Sequence, residues 1–161
     1  MNIGIIIFSQ TGNTKTAADK IRDKLSAGGH NVKIERIKIS GPVSENESDI
    51  RFEYLPDAAR YDGLVVCSPV HAFSLAAVMR AALKKMNIKP GIKTSCLVTQ
   101  YFPFAWMGGN RAIRQMKKIC SQRGLDSSVS AVINWSAAAK REKQITEAAV
   151  KISGMFTADK N

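Results

Sequence analysis

The chain has 161 residues, 45% of them hydrophobic and 23% charged, which suits one buried globular core and excludes a disordered or fibrous chain. No apolar run approaches the roughly 20 residues that a membrane-spanning helix needs, so no membrane insertion is expected. The formal net charge of +11 is lopsided, with nine basic and nine acidic side chains in residues 1–62 but fifteen and four in residues 63–161.

The first expected strand covers residues 2–8, where Ile3 to Phe8 is an unbroken apolar run of the kind buried on both faces of a sheet. A turn, Ser9-Gln10-Thr11-Gly12-Asn13-Thr14, leads into a helix over 13–28. Ala17, Ala18, Ile21 and Leu25 recur there at helical spacing, and Gly28-Gly29 closes it. Asn31 to Ile37 alternates apolar and charged residues, which predicts an edge strand. Residues 38–62 are broken by Ser40-Gly41-Pro42 and are acidic from Ser44 to Asp49. A long loop with one short helix at Leu55 to Tyr61 is expected there. Gly63 to Ser68 is a second continuous apolar run, stopped by Ser68-Pro69-Val70-His71, and a helix follows from about Ser74 to Met86. Thr94 to Thr99 is the next strand, and an aromatic loop from Gln100 to Met107 ends in Gly108-Gly109-Asn110. A helix to about Gln122, a strand over 127–135 and a helix over 137–155 complete the pattern.

Strand and helix alternate throughout, which predicts an α/β fold: one domain over 1–161 with a three-layer, doubly wound, five-stranded parallel sheet of order 2-1-3-4-5. In that order the chain reverses direction between the first and third strands, and ligands bind at the carboxyl ends of the strands beside the switch. The loops after the first, third and fourth strands meet there.

The first of these loops offers hydroxyls, amides and a glycine at a helix N-terminus. That combination suits a phosphate, because backbone N–H groups and the helix dipole converge on one spot while Gly12 adds no Cβ. Ser9, Gln10, Thr11, Gly12, Asn13 and Thr14 are therefore candidate phosphate residues. The alternative is a capped helix start with no ligand. Neither GxxxxGK[ST] nor GxGxxG occurs. The motif Ser9-Gln10-Thr11-Gly12-Asn13-Thr14 resembles the phosphate loop of the flavodoxins, and nearly the whole chain follows the layout of their short-chain type. The resemblance implies FMN, with its 5′-phosphate in this loop.

Under that resemblance the second loop, Ser68, Pro69, Val70, His71, Ala72 and Phe73, meets the edge of the isoalloxazine. The third offers Thr99, Gln100, Tyr101, Phe102, Phe104, Trp106, Gly108 and Gly109, with one or two of its rings stacked on the flavin. His71 is the candidate catalytic residue, able to donate a hydrogen bond to the flavin or to a substrate carbonyl; its alternative is a packing role. Two features depart from the electron-carrier flavodoxins: those are strongly acidic, and their second loop carries a glycine that Val70-His71-Ala72-Phe73 lacks. Positive charge beside the flavin favours its anionic reduced form and leans towards two-electron chemistry.

Cys67, Cys96 and Cys120 are dispersed without metal-ligand spacing and read as small buried hydrophobes in a reducing cytoplasm. The chain opens directly on a strand, so no leader peptide is expected. The expected function is an FMN-binding redox protein that passes electrons to a protein partner, acidic to match the basic half, or to a small-molecule acceptor. The competing class is an NAD(P)H-dependent quinone or flavin oxidoreductase. A non-redox module binding nucleic acid or another polyanion ranks last, because it leaves the first loop unexplained. The exposed aromatics of the third loop would equally suit a homodimer surface.

Overall fold

The computed structural model describes residues 1–157, so the last four residues of the expected 1–161 domain lie outside the described residues. The five long strands are β1 (Asn2–Ile7), β2 (Asn31–Arg36), β5 (Gly63–His71), β7 (Lys93–Gln100) and β8 (Asp126–Asn134). They pair in parallel in the order β2-β1-β5-β7-β8, which is the expected 2-1-3-4-5. Helices α1 (Asn13–Ala27), α2 (Ala77–Lys85), α3 (Gly109–Gln122) and α4 (Ala138–Thr157) cover its two faces.

Strand alternation divides the core in two, because successive side chains point to opposite faces. Ile6, Leu64, Val66, Cys96 and Val98 face the layer that receives α2 and α3. Ile3, Ile5, Ile7, Val65, Cys67 and Leu97 face the layer of α1 and α4. Two contacts are close enough to demand glycine. Gly4 lies under the Tyr61 ring and Gly63 under the Phe156 ring, and a Cβ at either would overlap the aromatic carbons. His30 is buried at 6% exposure and meets the Phe156 ring edge-on.

Residues 38–62 are more ordered than the expected long loop, and the short helix expected at Leu55 to Tyr61 is a single 3-10 turn. They form a two-stranded antiparallel hairpin, β3 (Lys38–Ser40) and β4 (Arg51–Tyr54), with single 3-10 turns at Glu47–Asp49 and Ala58–Arg60. Polar contacts across the sequence hold this segment to β2: the Tyr54 and Tyr61 hydroxyls each donate to a different carboxylate oxygen of Glu35, both at 2.7 Å. Burial opposes the Glu35 charge, but the two phenols and the nearby Lys33 outweigh it and lower the carboxyl pKa.

β5 also runs further than its apolar stretch, through Pro69 to His71. Its pairing with β1 ends at Cys67, so a proline without an N–H falls where that neighbour has stopped. The chain then folds straight back into β6 (Ser74–Leu75), with His71 paired to Ser74 and Val70 to Leu75. Helix α2 consequently begins at Ala77 rather than near Ser74. The two turn residues, Ala72 and Phe73, have φ of 50° and 59°. A two-residue hairpin of type I′ demands positive φ at both positions, a region that costs a residue with a Cβ about 1–2 kcal/mol.

Three substitutions test this backbone geometry, each read by urea or thermal unfolding. Gly63→Ala should destabilise by about 1–3 kcal/mol through overlap with Phe156, whereas Gly154→Ala should stabilise by about 0.5–1 kcal/mol, since Gly154 sits in α4 with open space around its Cβ position. Ala72→Gly should leave the hairpin intact and raise stability by up to about 1 kcal/mol, the relief of positive φ partly offset by the freer unfolded chain. A drop in stability for Ala72→Gly would show that the turn is unstrained.

Candidate functional site

The loops after β1, β5 and β7 meet at the carboxyl ends of these strands and enclose a cleft of about 170 Å³. The first loop contributes Gln10, Thr11, Asn13 and Thr14 to its wall, the second Pro69, Val70 and His71, and the third Thr99, Gln100 and Tyr101. Ser9, Gly12, Ser68, Ala72, Phe73, Phe102, Trp106, Gly108 and Gly109 do not line it.

The first loop is shaped by its own hydrogen bonds. Ser9 Oγ accepts from the Gly12 amide at 3.2 Å, and Gly12 takes φ 91°, a left-handed conformation that suits glycine. The Thr14 hydroxyl is bonded to the Thr99 hydroxyl at 2.9 Å, which ties α1 to the end of β7. Ser9 and Thr14 thus each give one hydrogen bond to the shape of the loop. Donors for an anion come from the start of α1, which has no side-chain cap and no acidic residue in its first turn. The Arg36 guanidinium, donating to the Ser9 carbonyl, adds a positive charge behind the loop.

The second loop is the β5–β6 hairpin, and α3 holds it in its left-handed turn. The Ser74 hydroxyl and the Leu75 amide both donate to Gln115 Oε1, at 2.9 and 2.8 Å. The Phe73 ring stacks on Phe102 with centroids 5.3 Å apart. Gly108 allows this closure: a Cβ there would lie 2.8 Å from Phe73 Cα. Gly109 does the same beneath Gln100 and Val132. These two glycines, candidates for the cofactor by position, face inward as packing residues. Ser68 is fully buried, with its hydroxyl on the Pro69 carbonyl.

His71 stands at the cleft edge with its ring edge-on to Phe8, centroids 6.2 Å apart. Burial lowers its pKa from 6.5, against the opposing charge of Glu45, so the imidazole is neutral at pH 7. Cys67 is wholly buried, and burial pushes its thiol up to about 12, which leaves no thiolate for redox chemistry.

The third loop is organised by one side chain. The Gln100 amide nitrogen donates to the Phe102 carbonyl, the Phe104 carbonyl and Asn134 Oδ1, at 3.1, 2.6 and 2.7 Å. Tyr101 is thereby left at the cleft mouth, 73% exposed. Trp106 stacks on Phe104 with centroids 6.0 Å apart, and Lys140 lies over Phe104. Of the four expected aromatics, only Tyr101 reaches the cleft. Sequence reasoning missed Gln115 and Arg36. Gln115 had a signal, as a polar residue within the buried stripe Ala112, Ile113, Met116 and Ile119. Arg36 had none beyond its place near the end of an edge strand.

Among the described residues, no helix is long and apolar enough to cross a membrane, and no cluster of His, Cys, Asp and Glu could hold a metal ion. No family profile and no curated protein matches the chain. Solved structures do match. A flavodoxin from Streptococcus pneumonia TIGR4 aligns over 96% of this chain and 99% of its own, with 17% identity and a TM-score of 0.67. A flavoprotein from Lactobacillus acidophilus NCFM, solved in complex with FMN, aligns over 89% and 97%, with 17% identity and a TM-score of 0.62. A WrbA-like flavodoxin from Agrobacterium tumefaciens aligns over 99% of both chains, with 7% identity and a TM-score of 0.68. With the strand order and the cleft at its switch point, these likenesses identify the fold of this chain as flavodoxin-like.

Proposed function

We propose that this chain is an FMN-binding redox protein, with one cofactor domain, that passes electrons to a protein partner or a small acceptor. The observation that carries the reading is the start of α1: uncapped, free of acidic residues, led by a left-handed Gly12 and opening into the switch-point cleft. The donor set fits a phosphate monoester. Thr11 and Asn13 with the first-turn amides would hold the phosphate, and the Thr14–Thr99 bond would fix the loop against the ring site. The Lactobacillus acidophilus neighbour, solved with FMN, supports the choice of flavin.

Bound FMN supplies reversible one- and two-electron transfer. The protein's part is to place the ring and tune its surroundings. Tyr101 offers an aromatic face, and Pro69-Val70-His71 a rigid edge. Neutral His71 can hold a proton on one ring nitrogen and donate it as a hydrogen bond to a flavin or substrate heteroatom. A cleft of this size leaves much of the ring accessible, as electron transfer to a partner requires.

The fifteen basic side chains of residues 63–161 against four acidic ones favour an acidic redox partner. Neutral His71 at the cleft edge favours the second reading, an NAD(P)H-dependent oxidoreductase acting on quinones or flavins. Three free cysteines, all buried, suit a reducing cytoplasm.

An absorbance spectrum of the purified protein with added FMN tests the cofactor. Flavin bands and quenched FMN fluorescence are expected; a protein that leaves FMN fluorescence unchanged would make the first loop a structural turn. Asn13→Asp sharpens the test, since it adds one charge at the phosphate with little change in shape. It should weaken FMN at least tenfold, leave riboflavin affinity unchanged and leave unfolding stability equal or slightly higher, because an acid suits a helix start. Turnover of NADPH with a quinone separates the oxidoreductase from the electron carrier.

A further inference from the structure

A second cleft, of about 200 Å³, adjoins the first, and His71 lines both. Its wall includes Ser44, Glu45, Ser74, Arg80 and Arg111, with Ala77 at the start of α2. We propose that this cleft seats the anionic group, phosphate or carboxylate, of the small molecule that exchanges electrons at the first cleft. The anion seat stands on its own residues; its redox role rests on the FMN reading.

Two guanidiniums border one concavity: Arg111 presents an open planar fork that suits an oxyanion, and Arg80 adds a fixed positive charge with its remaining N–H groups. Arg80 is held ready. It donates to the Leu75 carbonyl and, at 3.1 Å, to the Glu45 carbonyl, and its Nε lies 3.6 Å from Glu47. Its side chain is only 21% exposed, so little freedom remains to be lost on binding. Arg111, in the first turn of α3, is exposed, and among the described residues nothing pairs with its guanidinium. The start of α2 adds uncapped N–H groups with no acidic residue in its first turn.

The acidic groups nearby do not cancel this charge. Glu47 is engaged by Lys84 at 2.9 Å as well as by Arg80. Among the described residues Glu45 is the one carboxylate in the lining, which it shares with Arg80, Arg111 and a neutral imidazole. The FMN phosphate belongs to the first loop at α1, so the anion of the second cleft is a different one. Shared His71 sets the geometry: a ligand anchored at Arg111 extends past the imidazole into the cleft proposed for the flavin.

Amide NMR titration with inorganic phosphate, with and without FMN, tests the seat. Saturable shifts at Ser74, Ala77 and Arg111 are expected, weakened about tenfold in Arg111→Gln, which leaves the fold intact because Arg111 is exposed and holds no hydrogen bond or ion pair among the described residues. Shifts confined to residues 11–15, or none in either state, overturn the proposal. FMN binding is read from absorbance, so failure of the cofactor reading is seen separately. On the FMN-loaded protein, Arg111→Gln should raise KM about tenfold at unchanged kcat for the anionic substrate. A rise for NADPH identifies the electron donor. A rise for a sulfonated naphthoquinone, but not for neutral menadione, identifies the acceptor. Unchanged KM for both anions overturns the substrate role.

Discussion

The central strands of this sheet must be covered on both faces, and the rest of the molecule follows from that requirement. Ile3, Ile5 and Ile7 look into one layer and Ile6 into the other, while Leu64, Val65, Val66 and Cys67 divide in the same way. A polar group in the middle of β1 or β5 would be stranded without water or partner. Chemistry is therefore displaced to the carboxyl ends, where parallel strands all deliver their loops on one side. The covering layers come so close that the Tyr61 ring leaves Gly4, and the Phe156 ring of α4 leaves Gly63, no room for a Cβ. Helix spacing, strand order and cleft position are thus one constraint seen three times.

At the carboxyl ends the loops are tied to one another rather than standing alone. The hydroxyl pair Thr14–Thr99 joins the first to the third, and the Phe73–Phe102 stack joins the second to the third. Gln115 anchors the hairpin to α3, and Gln100 gathers the aromatic loop onto β8 through Asn134. Backbone strain at Ala72 and Phe73 persists because these neighbours over-determine the turn. A loop so held is pre-organised, which lowers the ordering cost of binding at its edge.

The sheet was legible because Ile3 to Phe8 and Gly63 to Ser68 are apolar without interruption, and only strands buried on both faces read that way. The first loop was legible because turn chemistry is local. What escaped the sequence depends on distant partners. The β3–β4 hairpin is joined to the sheet by Tyr54 and Tyr61 on Glu35, residues far apart in the chain. β5 could continue past Pro69 because β1 stops opposite Cys67, which no local pattern states. One or two rings of the aromatic loop were expected at the flavin, and Tyr101 alone of the four lines the cleft. Phe102 pairs with Phe73 and Phe104 with Trp106, as rings do when they find each other before a ligand. Gly108 and Gly109, candidates by their place in the third loop, also make room for the hairpin and for Gln100, which no local pattern states.

An open sheet has two outer strands, and both are guarded here. An unpaired strand edge is a template on which another chain can add itself, the first step towards aggregates. On β2 the exposed charges of Lys33 and Arg36 would have to give up water to an added strand. On β8 the Lys151 ammonium reaches across from α4 and occupies the Ser130 carbonyl at 2.9 Å. The alternation that makes β2 an outer strand thus also sets charge along its edge, where neighbouring molecules would otherwise join in a crowded solution.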